Sequence, residues 1–180
     1  MATDIWLKEA AHTPSPNFNS RPLNQLVDLI VIHCISLPPG VFEGDSIEKF
    51  FQNKLDFEKH PYFKNLRNLK VSSHFLIRRN GYTQQFVALN KRAWHAGDSS
   101  FAGKNDCNDY SVGIELEGTE TDYFEDDQYK SLIKLTKSIC KYFPLITLDR
   151  IIGHDEVSPN RKTDPGPFFD WDKYKSNINL

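Results

Sequence analysis

Cysteine is scarce in this chain. Cys34, Cys107 and Cys140 are an odd number at wide spacing with no Cys-x-x-Cys pair, which excludes a disulfide framework. They are expected to be reduced thiols in a cytoplasmic protein. An excess of one charge is also missing. With 22 Lys+Arg against 24 Asp+Glu the net charge is −2, which gives no general attraction to nucleic acid or to an anionic membrane. No stretch approaches the roughly 18 apolar residues that a bilayer-spanning helix requires. The opening residues Met1 to Ala10 have no basic segment followed by an apolar run, so no secretory signal is expected. Repeats and low-complexity tracts are absent. What remains is a globular composition, 39% hydrophobic, 13% aromatic and 26% charged, over a length of 180 residues that suits one domain.

The apolar pattern predicts an α/β fold, a mixed central β-sheet flanked by α-helices. Residues 1–25 include a polar, proline-rich stretch from residue 11 that reads as an extended N-terminal arm. Leu26 to Cys34 reads as a buried strand, because a short continuous apolar run ends at turn residues. Asp45 and Glu48 have capping-box spacing, and Ile47, Phe50, Phe51 and Leu55 follow at helical spacing. Residues 56–70 lack a period and read as a long loop. Ser73–Arg79 and Tyr82–Ala88 flank Asn80-Gly81, a signal for a hairpin with a type I′ turn. Val112–Glu117 alternates like a strand. A helix is expected from Asp126 to Phe143, stopped by Pro144, and a short strand near Arg150–Ile152. The result is strand, helix, hairpin, strand, helix, strand.

Four polar residues sit at the ends of these elements. His33 closes the first apolar run, Glu115 lies in the alternating strand, His154 follows Ile151-Ile152-Gly153, and Asp164 precedes Pro165-Gly166-Pro167. Two imidazoles and a carboxylate suffice to hold a catalytic Zn²⁺ with one position left for water. Each residue taken singly has a plainer reading: His33 and His154 as hydrogen-bonded core histidines, Asp164 as a turn former. Only together do they favour a metal centre. Glu115 and Glu117 share a strand face, and position alone favours neither as a working carboxylate. Lys162 is either a surface ion-pair partner or a cation facing substrate. His74 reads as a core histidine. His95, beside Trp94, suits a pocket or a structural hydrogen bond equally, and His12 and His60 read as solvated. No signature supports a cysteine nucleophile.

Longer stretches carry a resemblance. Val31-Ile32-His33-Cys34-Ile35-Ser36, Ser73-His74-Phe75-Leu76-Ile77, Ala93-Trp94-His95-Ala96-Gly97, Tyr110-Ser111-Val112-Gly113-Ile114-Glu115 and Arg161-Lys162-Thr163-Asp164-Pro165-Gly166-Pro167 occur in this order across nearly the whole chain. The chain resembles the zinc amidases that cleave the N-acetylmuramoyl–L-alanine bond. More narrowly it resembles the cytoplasmic AmpD-type amidases of cell-wall recycling, whose substrates are 1,6-anhydro-muropeptides. The resemblance implies one Zn²⁺ per chain held by His33, His154 and Asp164. It selects Glu115 over Glu117 as the catalytic carboxylate, with Lys162 as its cationic partner, and places Trp94 beside the substrate; His95 is a further substrate-binding candidate. No nucleic-acid or membrane partner is implied.

Three positions depart from the family pattern: Cys34 where asparagine commonly follows the first histidine, Asp106 in place of an arginine, and Lys70 in place of another. Lysine does not reproduce arginine's bidentate fork on a carboxylate. Lys70 or Lys104 is the expected substitute for binding stem-peptide carboxylates. Two rival functions remain open at this point. A general peptidoglycan amidase would cut polymeric wall or non-anhydro muropeptides. A recognition module would bind such fragments without cutting them, and such modules typically have an incomplete metal set.

Overall fold

A computed structural model describes residues 3–178. Its strands are β1 (Ala11–His12), β2 (Phe18–Ser20), β3 (Leu29–Ile35), β4 (Phe75–Ile77), β5 (Thr83–Gln85), β6 (Lys91–Ala93), β7 (Ser100–Phe101), β8 (Lys104–Asn105), β9 (Ser111–Glu117) and β10 (Ile151–Gly153). Its α-helices are α1 (Ser46–Phe51), α2 (Asp126–Tyr142), α3 (His154–Val157) and α4 (Trp171–Ser176). The main sheet has the order β1-β5-β4-β9-β3-β10. Its pairs are parallel except the β4–β5 hairpin, so the sheet is mixed, as expected. Two small antiparallel ribbons, β2–β6 and β7–β8, stand apart from it.

The inner strand β3 is covered on both faces, which is why Leu29 to Ile32 can all be apolar and fully buried. Ile30 and Ile32 pack with the α2 residues Leu132, Leu135 and Ile139 and with Tyr174 of α4. Leu29 and Val31 pack with Tyr110, Ile152 and Val157. A third cluster joins Leu76 and Phe86 to Phe50 and Phe51 of α1 and to Phe63 and Leu66. No helix among the described residues is long and apolar enough to cross a membrane.

The structure corrects several local expectations. The first long strand begins at Leu29 because Leu26 is exposed. The Asp45/Glu48 capping box does not form: Asp45 pairs with Lys49 at 2.8 Å, and Glu48 is taken by Arg78. The hairpin turn is not type I′. Among its residues only Gly81 has positive φ, +79°, and the Arg78 N–H to Tyr82 O bond of 2.9 Å closes a three-residue loop. Gly81 is also required by packing, since a Cβ there would lie 2.7 Å from the Asp127 carbonyl. Within the 56–70 loop, Pro61–Leu66 forms a 3-10 turn that buries Phe63 and Leu66. The N-terminal arm is docked through β1 and β2. The Asn17 amide donates to the Phe51 and Val71 carbonyls at 3.2 and 2.8 Å.

Candidate metal centre and groove

Parallel pairing gathers the chemistry at one edge of the sheet. In the β3–β9 register His33 lies opposite Glu115, so both project to the same face at the carboxyl ends of their strands. β10 runs parallel on the other side of β3, and His154 follows its last residue, Gly153. The chain then returns through α3, where Asp155 N–H bonds the Asp164 carbonyl at 3.0 Å and brings the Asp164 carboxylate back to the two histidines. Crevices beyond the carboxyl ends of parallel strands are the usual ligand sites of open α/β sheets.

Three candidate ligand atoms converge there. The His33 and His154 Nδ1 atoms are 2.9 Å apart, and Asp164 Oδ2 is 3.2 and 3.0 Å from them. Tetrahedral zinc with ligand bonds of about 2.0–2.1 Å would separate its ligands by about 3.3 Å, so the spacing is that of one face of such a site. His33, His154 and Asp164 are all buried. The His154 Nε2 faces the Ala96 carbonyl at 3.1 Å. A carbonyl only accepts, so Nε2 carries the proton and the Nδ1 lone pair points into the centre. Lone pairs and a carboxylate oxygen this close repel each other unless a cation lies between them. The donor set therefore fits a divalent metal. Burial, then the neighbouring His154, pushes the His33 pKa down to about 4, keeping it neutral as a ligand must be. Burial opposes ionisation of Asp164, but its close approach to the His154 and His33 rings outweighs that and holds the carboxyl well below its ordinary range.

Glu115 stands beside this cluster, and its Oε2 is buried without a hydrogen-bond partner among the described residues. Burial raises its pKa well above the ordinary carboxylate value, Asp164 adds to the rise, and Lys162 opposes it. Glu115, His154, Lys162 and Asp164 line a groove of about 780 Å³. Phe50, Phe51, Tyr62 and Leu66 form its apolar wall, and the segment Thr119–Asp122 its polar lip.

The other expected residues divide. Trp94 lines the groove, its indole N–H donating to Asn19 Oδ1 at 2.8 Å. His95 lines it too, but its ring is engaged from behind: Nδ1 lies 2.9 Å from His33 Nε2, and Nε2 lies 3.1 Å from Ser111 Oγ. Lys70 is exposed and falls between two lining residues, Leu69 and Val71, without lining the groove itself. Lys104 lies elsewhere. It bonds Gln25 at 2.9 Å and sits 4.1 Å from the Tyr110 ring centre, outside the groove lining, because the β7–β8 ribbon carries it away. Glu117 is held by Arg78 and by the Arg79 N–H. His74 is a core histidine, as read, with Nδ1 accepting from Gly113 N–H at 3.0 Å. Sequence reading gave no role to Gly113, Ser111 or Asn108. Gly113 did carry a signal, since glycine inside a strand marks a close approach. A Cβ at Gly113 would lie 2.4 Å from the His95 ring.

The family model for N-acetylmuramoyl-L-alanine amidases matches residues 22–167, and the chain belongs to that family of hydrolases. Among its relatives, the 1,6-anhydro-N-acetylmuramyl-L-alanine amidase AmpD of Haemophilus influenzae is 51% identical over 96% of this chain and 94% of its own. The same enzyme of Escherichia coli K12 is 45% identical over 94% and 92%. A crystal structure of a selenomethionine AmpD derivative matches with a TM-score of 0.95 at 45% identity, covering 99% of both chains. Escherichia coli AmiD, in complex with anhydro-N-acetylmuramic acid-L-Ala-D-γ-Glu-L-Lys, matches with a TM-score of 0.62 at 28% identity over 87% of this chain and 60% of its own. Within the family the chain is of AmpD type.

Proposed function

We propose that this chain is a zinc-dependent amidase of cytoplasmic cell-wall recycling. It hydrolyses the amide bond between the lactyl group of 1,6-anhydro-N-acetylmuramic acid and L-alanine in muropeptides. The observation that carries the reading is the convergence of three ligand atoms beside the unpaired, buried Glu115 carboxylate in one groove. The names of the AmpD relatives and the anhydro-muropeptide held by AmiD supply the substrate class. A groove of about 780 Å³ has the size of a site for a small amphiphilic ligand.

His33, His154 and Asp164 hold the ion. Zinc held there would supply a Lewis acid for the scissile carbonyl and would lower the pKa of water to about 7. Glu115 takes the proton of the attacking water and delivers it to the departing amine of L-alanine. Its raised proton affinity suits both halves of that transfer. Lys162, which also lines the groove, stabilises the negative charge that develops on the carbonyl oxygen. Trp94 offers an aromatic face to the sugar, and Lys70, next in sequence to the lining residues Leu69 and Val71, a cation to the stem-peptide carboxylates. The test is mass spectrometry of products from 1,6-anhydro-muropeptide and its reducing-end counterpart, with and without zinc chelation. Chelator-sensitive release of free peptide from the anhydro form is the expected outcome. Equal cleavage of both forms would point to a general wall amidase, and intact ligand after tight binding to a recognition module.

A further inference from the structure

We propose that Asn108 is a positioning residue for the metal centre, acting on both ligand imidazoles through the adjacent residues His95 and Ala96. The proposal rests on the zinc reading of that centre. His33 comes from β3 and His154 from the start of α3, yet their outer nitrogens end on neighbouring residues: His33 Nε2 on His95 Nδ1 at 2.9 Å, His154 Nε2 on the Ala96 carbonyl at 3.1 Å. For His33 to present Nδ1 to a metal, its Nε2 must carry the proton and donate to His95 Nδ1. His95 then carries its own proton on Nε2 and donates to Ser111 Oγ at 3.1 Å. One short segment thus sets the tautomer and ring orientation of both histidines, as partners of metal-bound histidines commonly do. Gly113 leaves the space in which the His95 ring sits.

A single side-chain atom accepts both backbone N–H groups of the segment. Asn108 Oδ1, in a side chain from a buried residue, accepts the N–H of His95 at 3.0 Å and that of Ala96 at 2.8 Å. Both partners are donors, so this atom is the amide oxygen, and both its lone pairs are used. Arg161 braces the same place, donating to the Ala96 carbonyl at 2.5 Å. Without the Asn108 oxygen two N–H groups lose their acceptor, and the segment can turn to find others. Both outer bonds to the imidazoles would then be lost together.

The test measures zinc dissociation constants by chelator competition, the visible spectrum of the cobalt form, and the melting temperature of the metal-free protein. Asn108→Ala should weaken zinc binding by about 10–100-fold and alter the cobalt spectrum. Asn108→Asp, which keeps the acceptor, should restore both. His95→Phe, which removes the acceptor for His33 and the bond to Ser111 but leaves the backbone bonds to Asn108 in place, should weaken zinc in the same range and carries the test if Asn108→Ala does not fold. An alanine variant that melts earlier but binds zinc like wild type would reduce Asn108 to a purely structural residue and overturn the proposal. So would an aspartate variant as weak as alanine, or unchanged zinc binding in His95→Phe. Wild-type protein that takes up no zinc would overturn the metal reading itself.

Discussion

Glu115 and Glu117 lie two residues apart on one face of β9, both are buried, and they have opposite surroundings. Glu117 has a partner for each oxygen: Arg78, itself shared with Glu48, and the Arg79 N–H at 3.1 Å. Glu115 faces His33 across the register, next to Asp164 and the groove, and leaves one oxygen unpaired. Burial penalises a carboxylate in either place. The difference lies in the partners, and it teaches that one strand can carry a carboxylate that holds the fold and another kept free to exchange a proton.

Exchanging each carboxylate for its amide tests that contrast most sharply. Glu115→Gln should lower turnover by about 10²–10⁴-fold while zinc content and unfolding midpoint stay near wild type. Wild-type rates of peptide release would remove Glu115 from the chemistry. Glu117→Gln should do the reverse, costing about 3 kcal/mol in denaturant unfolding because Arg78 loses a buried countercharge, while the reaction survives. An unshifted midpoint would mean that Glu48 alone satisfies Arg78.

The effect spread over the widest pH range, and so smallest per pH unit, concerns a buried group with no countercharge. Burial, helped by the Arg21 charge, pushes the His74 pKa down to about 3 from an ordinary 6.5. Between these values the unfolded chain binds a proton that the folded chain refuses. Stability should therefore fall as pH drops below about 6.5 and level off near 3, by up to about 1.4 kcal/mol per pH unit. In metal-free protein, His74→Gln should flatten that slope by up to one proton. An identical slope in the variant would show that His74 titrates normally.

Local signals account for what was legible. The run Leu29–Ile32 and the helical spacing of Tyr129, Leu132, Thr136 and Ile139 are read within a few residues, so β3 and α2 appear nearly where expected. Asp45 and Glu48 have the right spacing for a cap, but the distant Arg78 takes the glutamate. The arm has no periodic pattern, and its strands exist because β5 and β6 come alongside. Lys104 was misplaced because nothing local tells on which side of the molecule a short ribbon will emerge.

The sequence by itself determined an α/β fold, the kinds of residue available for a metal, and the family to which they belong. Strand alternation even placed Glu115 and Glu117 on one face, and for that reason it could not separate them. Only the tertiary structure decided which of the two is paired, which nitrogen of each histidine faces the centre, and that Asn108 supports the segment behind them. Those decisions rest on contacts between residues far apart in the chain. Hydrogen-bond direction and burial, unlike apolar periodicity, leave no repeating trace along it.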